Sequence, residues 1–307
     1  MEHKKRLKGS IIGLAIGDAM GAPVEFQKRG TFIPVTDYRS GGIFSLNAGD
    51  WTDDTAMALC IAQSLIDVQG FSSIDQMEKY LAWMNHGYMS CSGKMIGIGK
   101  TARRTLIRYM RTREPYTDII HEKFSGNGSL MRLAPICVYY AHDLDKAIHY
   151  AALSSKTTHA SPIAVDSCRY FAYILIHIFK GYNKKTIFSK QFSDSLNRFF
   201  YDKTLHPTLS PIINVDFKTK TAKEISSSGY VIDSLEAALW SFYHTDSFED
   251  AILTAVNLGD DADTVAAITG QLAGAYYMLN SIPKPWIEEL AQSEFINNLS
   301  EELINTK

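Results

Sequence analysis

The sequence predicts an all-α protein that forms a single domain over residues 1–307. Apolar residues recur at helical spacing along most of the chain, and strand-like alternation is nearly absent. Most glycines and prolines fall between these periodic segments, where they mark loops. Because 46% of the residues are apolar and 21% are charged, the chain can bury a sizeable core.

The helices are predicted in chain order from apolar spacing and from end signals. The segment "TAMALCIAQSLIDV" (55–68) is apolar on nearly all sides, which is typical of a core helix. The segment "SPIAVDSCRYFAYILIHIFKGY" (161–182) starts with Ser-Pro and has a Gly near its end, as helices commonly do. Further helices are predicted near 6–20, 73–85, 98–112, 129–141, 143–154, 184–201, 231–243, 246–257 and 284–305.

The helix that follows residue 261 carries two different faces. One face is apolar at positions i, i+3, i+7 and i+11, namely Val265, Ile268, Leu272 and Tyr276. The other is a ridge of small residues, namely Ala266, Gly270 and Gly274. A small-residue ridge lets a second helix approach closely, so we expect a tight helix pair here.

Two long connections separate the predicted helices. Residues 27–50 form the longest non-helical stretch, and residues 203–227 are polar and rich in Lys, Ser and Thr. Connections of this length in a compact domain are often functional. We therefore expect long loops beside the functional site and a mobile surface excursion near 203–227.

Composition excludes several function classes. Lys+Arg total 31 against Asp+Glu 33, a net charge of −2, so general binding to nucleic acid or to an anionic membrane is not expected. No apolar stretch approaches the roughly 20 residues of a membrane span. The four widely spaced cysteines favour buried thiols over disulfides. The N-terminus superficially resembles a signal peptide, but Asp18 interrupts its apolar run. A cytoplasmic location is expected.

Two acidic clusters, about 200 residues apart, have the same design. In "GDWTDDTAMAL" (49–59) and "NLGDDADTVAAITG" (257–270), Gly-Asp precedes crowded acids and a Thr, and a helix follows. A helix dipole offsets such repulsion by only fractions of a kcal/mol per group. A divalent cation between the clusters would offset it far better, and the available oxygen donors suit Mg²⁺ or Ca²⁺.

Alternative explanations of the clusters can be compared. The run from Asp261 has Val265 and Ala267 where an EF-hand needs later ligands, and zinc would prefer His or Cys, which are not nearby. Two separate acid-capped helices remain the alternative to a metal site. For one cluster alone, an acid-capped helix and a metal site would be about equally good explanations. Two similar clusters favour a shared cation.

Two further segments carry candidate functional groups. Glu25, in "GDAMGAPVEF" (17–26), lies between apolar neighbours in a predicted loop, so it is either a salt-bridge partner or a catalytic carboxyl with a raised pKa. The segment "SGNGSLMRLAPI" (125–136) is a turn that opens a helix. Its backbone N–H groups could hold phosphate, and a plain Asn-Gly turn is the alternative.

These segments together resemble the ADP-ribosylglycohydrolase family, which includes dinitrogenase-reductase-activating glycohydrolase and the ADP-ribosyl-acceptor hydrolases. The matching stretches are "GLAIGDAMGAPVEF", "WTDDTAMAL", "GNGSLMRLAPI", "THASPIA", "GYVIDSLEAALW" and "GDDADTVAAITGQLAGAYY", in the family's order over almost the whole chain. The resemblance implies an all-α fold with a central cleft that holds two Mg²⁺ ions, for which Mn²⁺ sometimes substitutes. It implies hydrolysis at the anomeric carbon of an ADP-ribosylated protein, nucleic acid or small molecule, through an oxocarbenium-like transition state.

The resemblance also implies roles for individual residues. The metal ligands would be Thr52, Asp53, Asp54, Asp261, Asp263 and Thr264. The catalytic groups would be Glu25, which positions or activates water, together with Asp53, Asp54 and Asp261. The ligand contacts would be the turn residues Gly126, Asn127, Gly128 and Ser129, with Tyr230 against the adenine and His159 in a substrate-contact or structural role.

One position departs from the family pattern. Many relatives of the dinitrogenase-reductase type carry F-D-I-G before the helix that begins near residue 98, and the Asp of that motif is assigned an acid/base role. The corresponding stretch here is "KMIGIGKTARRTL" (94–106), with Gly97 in place of the Asp. This departure disfavours an arginine-linked substrate. It also keeps open a second reading, a non-catalytic ADP-ribose-binding or interaction protein on the same fold.

Overall fold

The computed structural model describes residues 1–306, and it is built from helices joined by long loops, with no β-strand among those residues. This confirms the all-α prediction. The helices are α1 (Glu2–Gly21), α2 (Asp53–Asp67), α3 (Ser73–His86), α4 (Lys100–Thr112), α5 (Ala134–Tyr139), α6 (Leu144–Lys156), α7 (Pro162–Phe179), α8 (Lys184–Ile187), α9 (Lys190–Phe199), α10 (Ser210–Ile213), α11 (Val231–Tyr243), α12 (Phe248–Val256), α13 (Ala262–Tyr277), α14 (Lys284–Glu289) and α15 (Ser293–Asn305).

Helices α1 and α13 form the tightest pair in the fold, and they run antiparallel. Gly13 of α1 faces Gly270 of α13, so closely that a Cβ built on Gly13 would lie 2.3 Å from the Gly270 carbonyl oxygen. Gly9 meets Gly274 and Gly17 meets Ala266 in the same way. The predicted small-residue ridge is therefore confirmed as a backbone-to-backbone contact. It brings the C-terminal end of α1 beside the acidic N-terminus of α13.

Helix α2 lies in the core, as its apolar composition predicts. Eleven of its residues are buried, and the eight apolar ones belong to one continuous hydrophobic cluster that also includes residues of α1, α7, α11 and α13. Its N-terminus points towards the N-terminus of α13. The connections 25–52, 87–99 and 113–133 reach this meeting point, so the long loops lie beside the acidic clusters, as expected.

Several predicted helices are shorter or divided. The helix expected at 129–141 begins only at Ala134, because the turn after Asn127 takes up residues 128–132. The helix expected at 284–305 is broken at Gln292, which has a φ of 55°. The 203–227 connection is packed against the core and is not a surface excursion. It forms short helical turns that bury Leu209 and Phe217.

The remaining global expectations concern membranes and cysteines. No helix within residues 1–306 combines the length and hydropathy that crossing a bilayer requires. All four cysteines are free thiols, and Cys60, Cys137 and Cys168 are buried, as the sequence predicts.

Candidate metal centre and ligand cavity

A cavity of about 510 Å³ lies where the N-termini of α2 and α13 meet. Five carboxylates line it, although they come from three separate parts of the chain: Glu25, Asp53, Asp54, Asp261 and Asp263. The wall also includes Thr264, Phe44, the 97–102 segment, the 126–128 turn and His159. The fold therefore brings together the two acidic clusters and the loop glutamate.

Three of these carboxylates are close enough to share one cation. Oxygen atoms of Glu25, Asp261 and Asp263 all lie within 4.8 Å of one another. Cation–oxygen distances are about 2.0–2.6 Å for Mg²⁺ and Ca²⁺, so ligand oxygens on opposite sides of one ion are up to about 5 Å apart. The spacing therefore fits a hard divalent cation.

Two buried oxygens of the cluster have no hydrogen-bond partner among the described residues. They are Oε2 of Glu25 and Oδ2 of Asp54. A buried carboxylate oxygen without a donor or a cation is costly in free energy. A cation held by these oxygens would supply the missing interaction, and this donor set of oxygens alone suits Mg²⁺ or Mn²⁺.

The cluster also has perturbed acidities. Burial, reinforced by the charge of Asp53, raises the pKa of Glu25 to about 8. Burial and the neighbouring Asp18 raise the pKa of Asp53 to about 7. Burial likewise raises the pKa values of Asp54 and Asp263 well above the ordinary range. Without a cation, several of these groups hold protons near neutral pH, and a cation would take the place of those protons.

Asp18 ties the two helix ends together, and the sequence did not assign it a role. It is fully buried near the end of α1, and it accepts four hydrogen bonds from the start of α2. The donors are the N–H and Oγ1 of Thr52 (3.0 and 2.8 Å) and the N–H and Oγ1 of Thr55 (2.9 and 2.6 Å). Because Thr52 gives its hydroxyl proton to Asp18, its oxygen lone pairs are available to a cation.

The two threonines of the predicted ligand set differ in position. Thr264 lines the cavity, and its Oγ1 lies 3.4 Å from Oδ1 of Asp54. Thr52 is 1% exposed and lies behind the cavity wall, on the Asp18 side. Asp260, the remaining acid of the second cluster, is exposed and has a φ of 54°. Its backbone pairs with Phe26 and Gln27.

The turn at 126–129 lies directly against the acids. Asn127 donates its side-chain amide to Oδ2 of Asp261 (2.5 Å) and to Oγ of Ser234 (2.7 Å). Gly126, Asn127 and Gly128 line the cavity, whereas the hydroxyl of Ser129 is buried and bonds to Ser155. The Asn127 side chain is thus occupied in orienting Asp261, a role that a simple turn signal does not predict.

Tyr230 and His159 flank this turn. Tyr230 pairs with Gly126 through an isolated backbone bridge, and 36% of its surface is exposed. The His159 ring lies beneath the two glycines, so close that a Cβ on Gly128 would lie 2.7 Å from its Cε1. Burial, with a smaller contribution from Arg132, lowers the pKa of His159 to about 3. His159 is therefore neutral at physiological pH.

Gly97 lies against the Asp53 carboxylate. Its φ is +71°, and a Cβ there would be 2.2 Å from Oδ1 of Asp53. The N–H of Gly99 donates to the same carboxylate, and Ile98 between them has a φ of 136°, which β-branched residues rarely adopt. This strained backbone, rather than a side chain, covers Asp53.

The helical fold and the acid-lined cavity define a class of all-α proteins whose carboxylates are arranged for a divalent cation. The ADP-ribosylglycohydrolase family model matches residues 1–307, and the chain belongs to that family of hydrolases. The predicted family membership and enzyme class are thereby confirmed.

Individual relatives agree with this assignment. The chain is 40% identical over 303 residues to "ADP-ribosylarginine hydrolase Tri1" of Serratia proteamaculans, a match that covers 98% of this chain and 80% of that protein. It is 29% identical to "ADP-ribosyl-[dinitrogen reductase] glycohydrolase" of Rhodospirillum rubrum, over 93% of this chain and 90% of the relative. A solved structure titled "ADP-ribosylglycohydrolase-related protein complex" superposes with a TM-score of 0.84, at 37% identity and 99% coverage of both chains.

Proposed function

We propose that this protein is a Mg²⁺-dependent hydrolase that cleaves the bond between the anomeric carbon of ADP-ribose and its acceptor, releasing ADP-ribose. The observation that carries the proposal is the convergence of five carboxylates on a single cavity beside the 126–128 turn. The family membership supports the ligand class, and the carboxylates supply the chemistry.

The proposed metal ligands are those of the two helix N-termini, with Glu25 beside them. They are Thr52, Asp53, Asp54, Asp261, Asp263 and Thr264, which suffice for two Mg²⁺ ions, with Mn²⁺ as a substitute. When bound, the ions would act as Lewis acids that fix the ribose hydroxyls and lower the pKa of water. The support is the oxygen-only donor set and the unpartnered Oδ2 of Asp54.

The residues around the cavity would have different roles in the reaction. Glu25 would accept a proton from the attacking water once a bound cation has displaced the carboxyl's own proton, and its Oε2, which has no hydrogen-bond partner within residues 1–306, supports this role. Asp53 and Asp261 provide negative charge beside the oxocarbenium-like transition state. The backbone of Gly126 to Ser129 would hold the ribose and diphosphate, Tyr230 the adenine, and His159 a substrate oxygen.

The proposed acceptor path leads over Phe44 and Gly97. These two residues line both the metal cavity and a second cavity of about 420 Å³, whose wall includes Asp50 and Lys94. An acceptor leaving the anomeric carbon would pass from the first cavity to the second along these two residues. The name of the Serratia proteamaculans relative favours an arginine-linked acceptor, in contrast to the expectation drawn from Gly97, so this linkage is the first to test.

The direct test is release of ADP-ribose from defined substrates. Purified protein with Mg²⁺ is given arginine-, serine- and nucleobase-linked ADP-ribose and O-acetyl-ADP-ribose, with EDTA as the metal-free arm. We expect release from at least one substrate, abolished by EDTA and by the Asp261→Ala/Asp263→Ala double variant. Asp260→Asn is the matched control, because this neighbouring acid is exposed and has a backbone conformation that Asn tolerates.

Two outcomes would contradict the proposal. Binding of ADP-ribose without release from any substrate would favour the non-catalytic alternative. Full activity in the double variant, or in EDTA, would refute the metal assignment. A cytoplasmic location is part of the proposal and is supported by the four free thiols.

A further inference from the structure

A buried arginine lies behind the ligand cavity without an acidic partner. Arg132 is fully buried, and none of the ion pairs within residues 1–306 includes it. Its guanidinium lies over the Tyr80 ring, 4.7 Å from the centroid, and its Nε has no acceptor. Burying a charge without a counter-ion is expensive, so its retention calls for a specific interaction.

That interaction is a short hydrogen bond to a threonine. The Arg132 guanidinium donates to Oγ1 of Thr158 at 2.7 Å, and more weakly to Oγ1 of Thr157 at 3.4 Å. Oγ1 of Thr158 lies in turn 2.9 Å from Nδ1 of His159. Arg132, Thr158 and His159 therefore form a chain that ends at the ring on the cavity wall.

The number of available protons determines which group donates and which accepts in each of these hydrogen bonds. An arginine side chain can only donate, so Oγ1 of Thr158 accepts from Arg132. Thr158 is fully buried, and the only other hydrogen-bond neighbour of its hydroxyl within residues 1–306 is Nδ1 of His159. If His159 donated instead, the Thr158 hydroxyl proton would be buried without an acceptor, which costs about 1–3 kcal/mol. Thr158 therefore donates, and Nδ1 accepts.

The consequence appears at the other ring nitrogen. With Nδ1 as acceptor, the neutral ring carries its proton on Nε2. Nε2 lies under the 126–128 turn, where Cβ atoms built on Gly126 and Gly128 would come within 3.4 and 3.2 Å of it. Within residues 1–306, no protein group accepts a hydrogen bond from Nε2. His159 lines the cavity, so this N–H is available to a bound ligand.

We propose that Arg132 is a positioning residue, which acts through Thr158 to hold His159 in its Nε2–H tautomer and so presents a fixed donor to an oxygen of the bound ADP-ribose. The ligand named here depends on the function proposed above, whereas the tautomer does not. The arrangement also accounts for the two glycines above the ring, because any side chain there would cover the donor.

The test reads the tautomer directly in the ligand-free protein. Two-bond ¹H–¹⁵N spectra of ¹⁵N-histidine-labelled protein distinguish the two neutral forms, and the His159→Gln variant identifies the signals. We expect the Nε2–H form in the wild type and in Thr158→Ser, which restores the hydroxyl. We expect a mixture in Thr158→Val and in Arg132→Met. Thr157→Val is the matched control, because it removes a buried hydroxyl that does not contact His159.

Ligand binding provides the second measurement. Titration with ADP-ribose and Mg²⁺ should show affinity weakened in proportion to the fraction of His159 that has left the Nε2–H form, about twofold for an even mixture in Thr158→Val, and unchanged affinity for Thr158→Ser and Thr157→Val. An Nδ1–H form in the wild type would overturn the proposal. So would a Thr158→Val protein with an unchanged tautomer. If the wild type shows the Nε2–H form but does not bind ADP-ribose, the proposed function fails and the assignment of the tautomer stands.

Discussion

The carboxylate cluster should make the stability of the metal-free protein fall as the pH rises. Glu25 has an ordinary pKa of 4.5 that burial and neighbouring charges raise to about 8 in the folded chain. The folded state therefore binds more protons than the unfolded state between these values. Stability contributed by protonated Glu25 is complete below about pH 4.5 and is lost as the pH rises through about 8.

The size of the effect follows from the same shift. At about 1.4 kcal/mol per pKa unit, Glu25 alone accounts for roughly 5 kcal/mol as an upper bound, since relaxation and water entry reduce it. For a chain of this length, 1 kcal/mol moves the melting temperature by roughly 2 °C. We expect the melting temperature in EDTA to fall by about 5–10 °C between pH 5 and pH 8.5, and Mg²⁺ to remove most of this fall.

The assay is thermal melting across this pH range, in EDTA and in Mg²⁺, for the wild type and two variants. Glu25→Gln removes one buried charge, so in EDTA at pH 8.5 it should melt several degrees above the wild type. Asp260→Asn should follow the wild type, because Asp260 is exposed. If the EDTA curves of wild type and Glu25→Gln have the same pH slope, the reasoning about the cluster is refuted.

Three further substitutions test how the fold positions the cluster. Gly270→Val should cost several kcal/mol in urea unfolding, because its Cβ would lie 2.0 Å from a backbone oxygen of α1, whereas Gly70→Ala, in open space, should change stability by less than about 0.5 kcal/mol. Asp18→Asn should lower the free energy of unfolding by about 2–3 kcal/mol and lower kcat more than tenfold, because an amide cannot accept all four hydrogen bonds. A variant with wild-type turnover would contradict this. Gly97→Ala should lower kcat at least tenfold, because a Cβ would collide with a carboxylate of the cluster. Gly70→Ala, which adds a Cβ in open space outside the cavity, should leave kcat unchanged.

The sequence predicted the elements whose signals are local. The crowded acids before α2 and α13 have only a few physical explanations, and the small residues Ala266, Gly270 and Gly274 predicted the close approach of a second helix. The identity of that helix as α1 could not be derived from spacing, because the matching glycines on α1 look like weak points in an apolar run. Pairing them requires the three-dimensional structure.

Asp18 shows why a single acid in an apolar helix is hard to interpret. The apolar residues around Asp18 predict that it lies in the core. The sequence does not show which groups the buried carboxylate bonds to, because those groups are known only from the fold. The four donors come from residues 34 and 37 positions further along the chain. Nothing in the local sequence indicates that this carboxylate will cap another helix, although an acid inside an apolar run is itself a signal worth testing.

Gly97 is explained differently by the sequence and by the structure. The family resemblance implies that a carboxylate is missing at this position. In the fold, the Asp53 carboxylate already occupies the place that a Cβ on residue 97 would need. An aspartate at 97 and the present position of Asp53 are therefore mutually exclusive unless the 97–99 segment moves. This chain holds Asp53 with the backbone N–H of Gly99 instead, so the two arrangements are alternative ways to cover the same side of the cluster. It follows that Gly97→Asp should not restore a family arrangement by itself, since the strained 97–99 backbone would have to change with it.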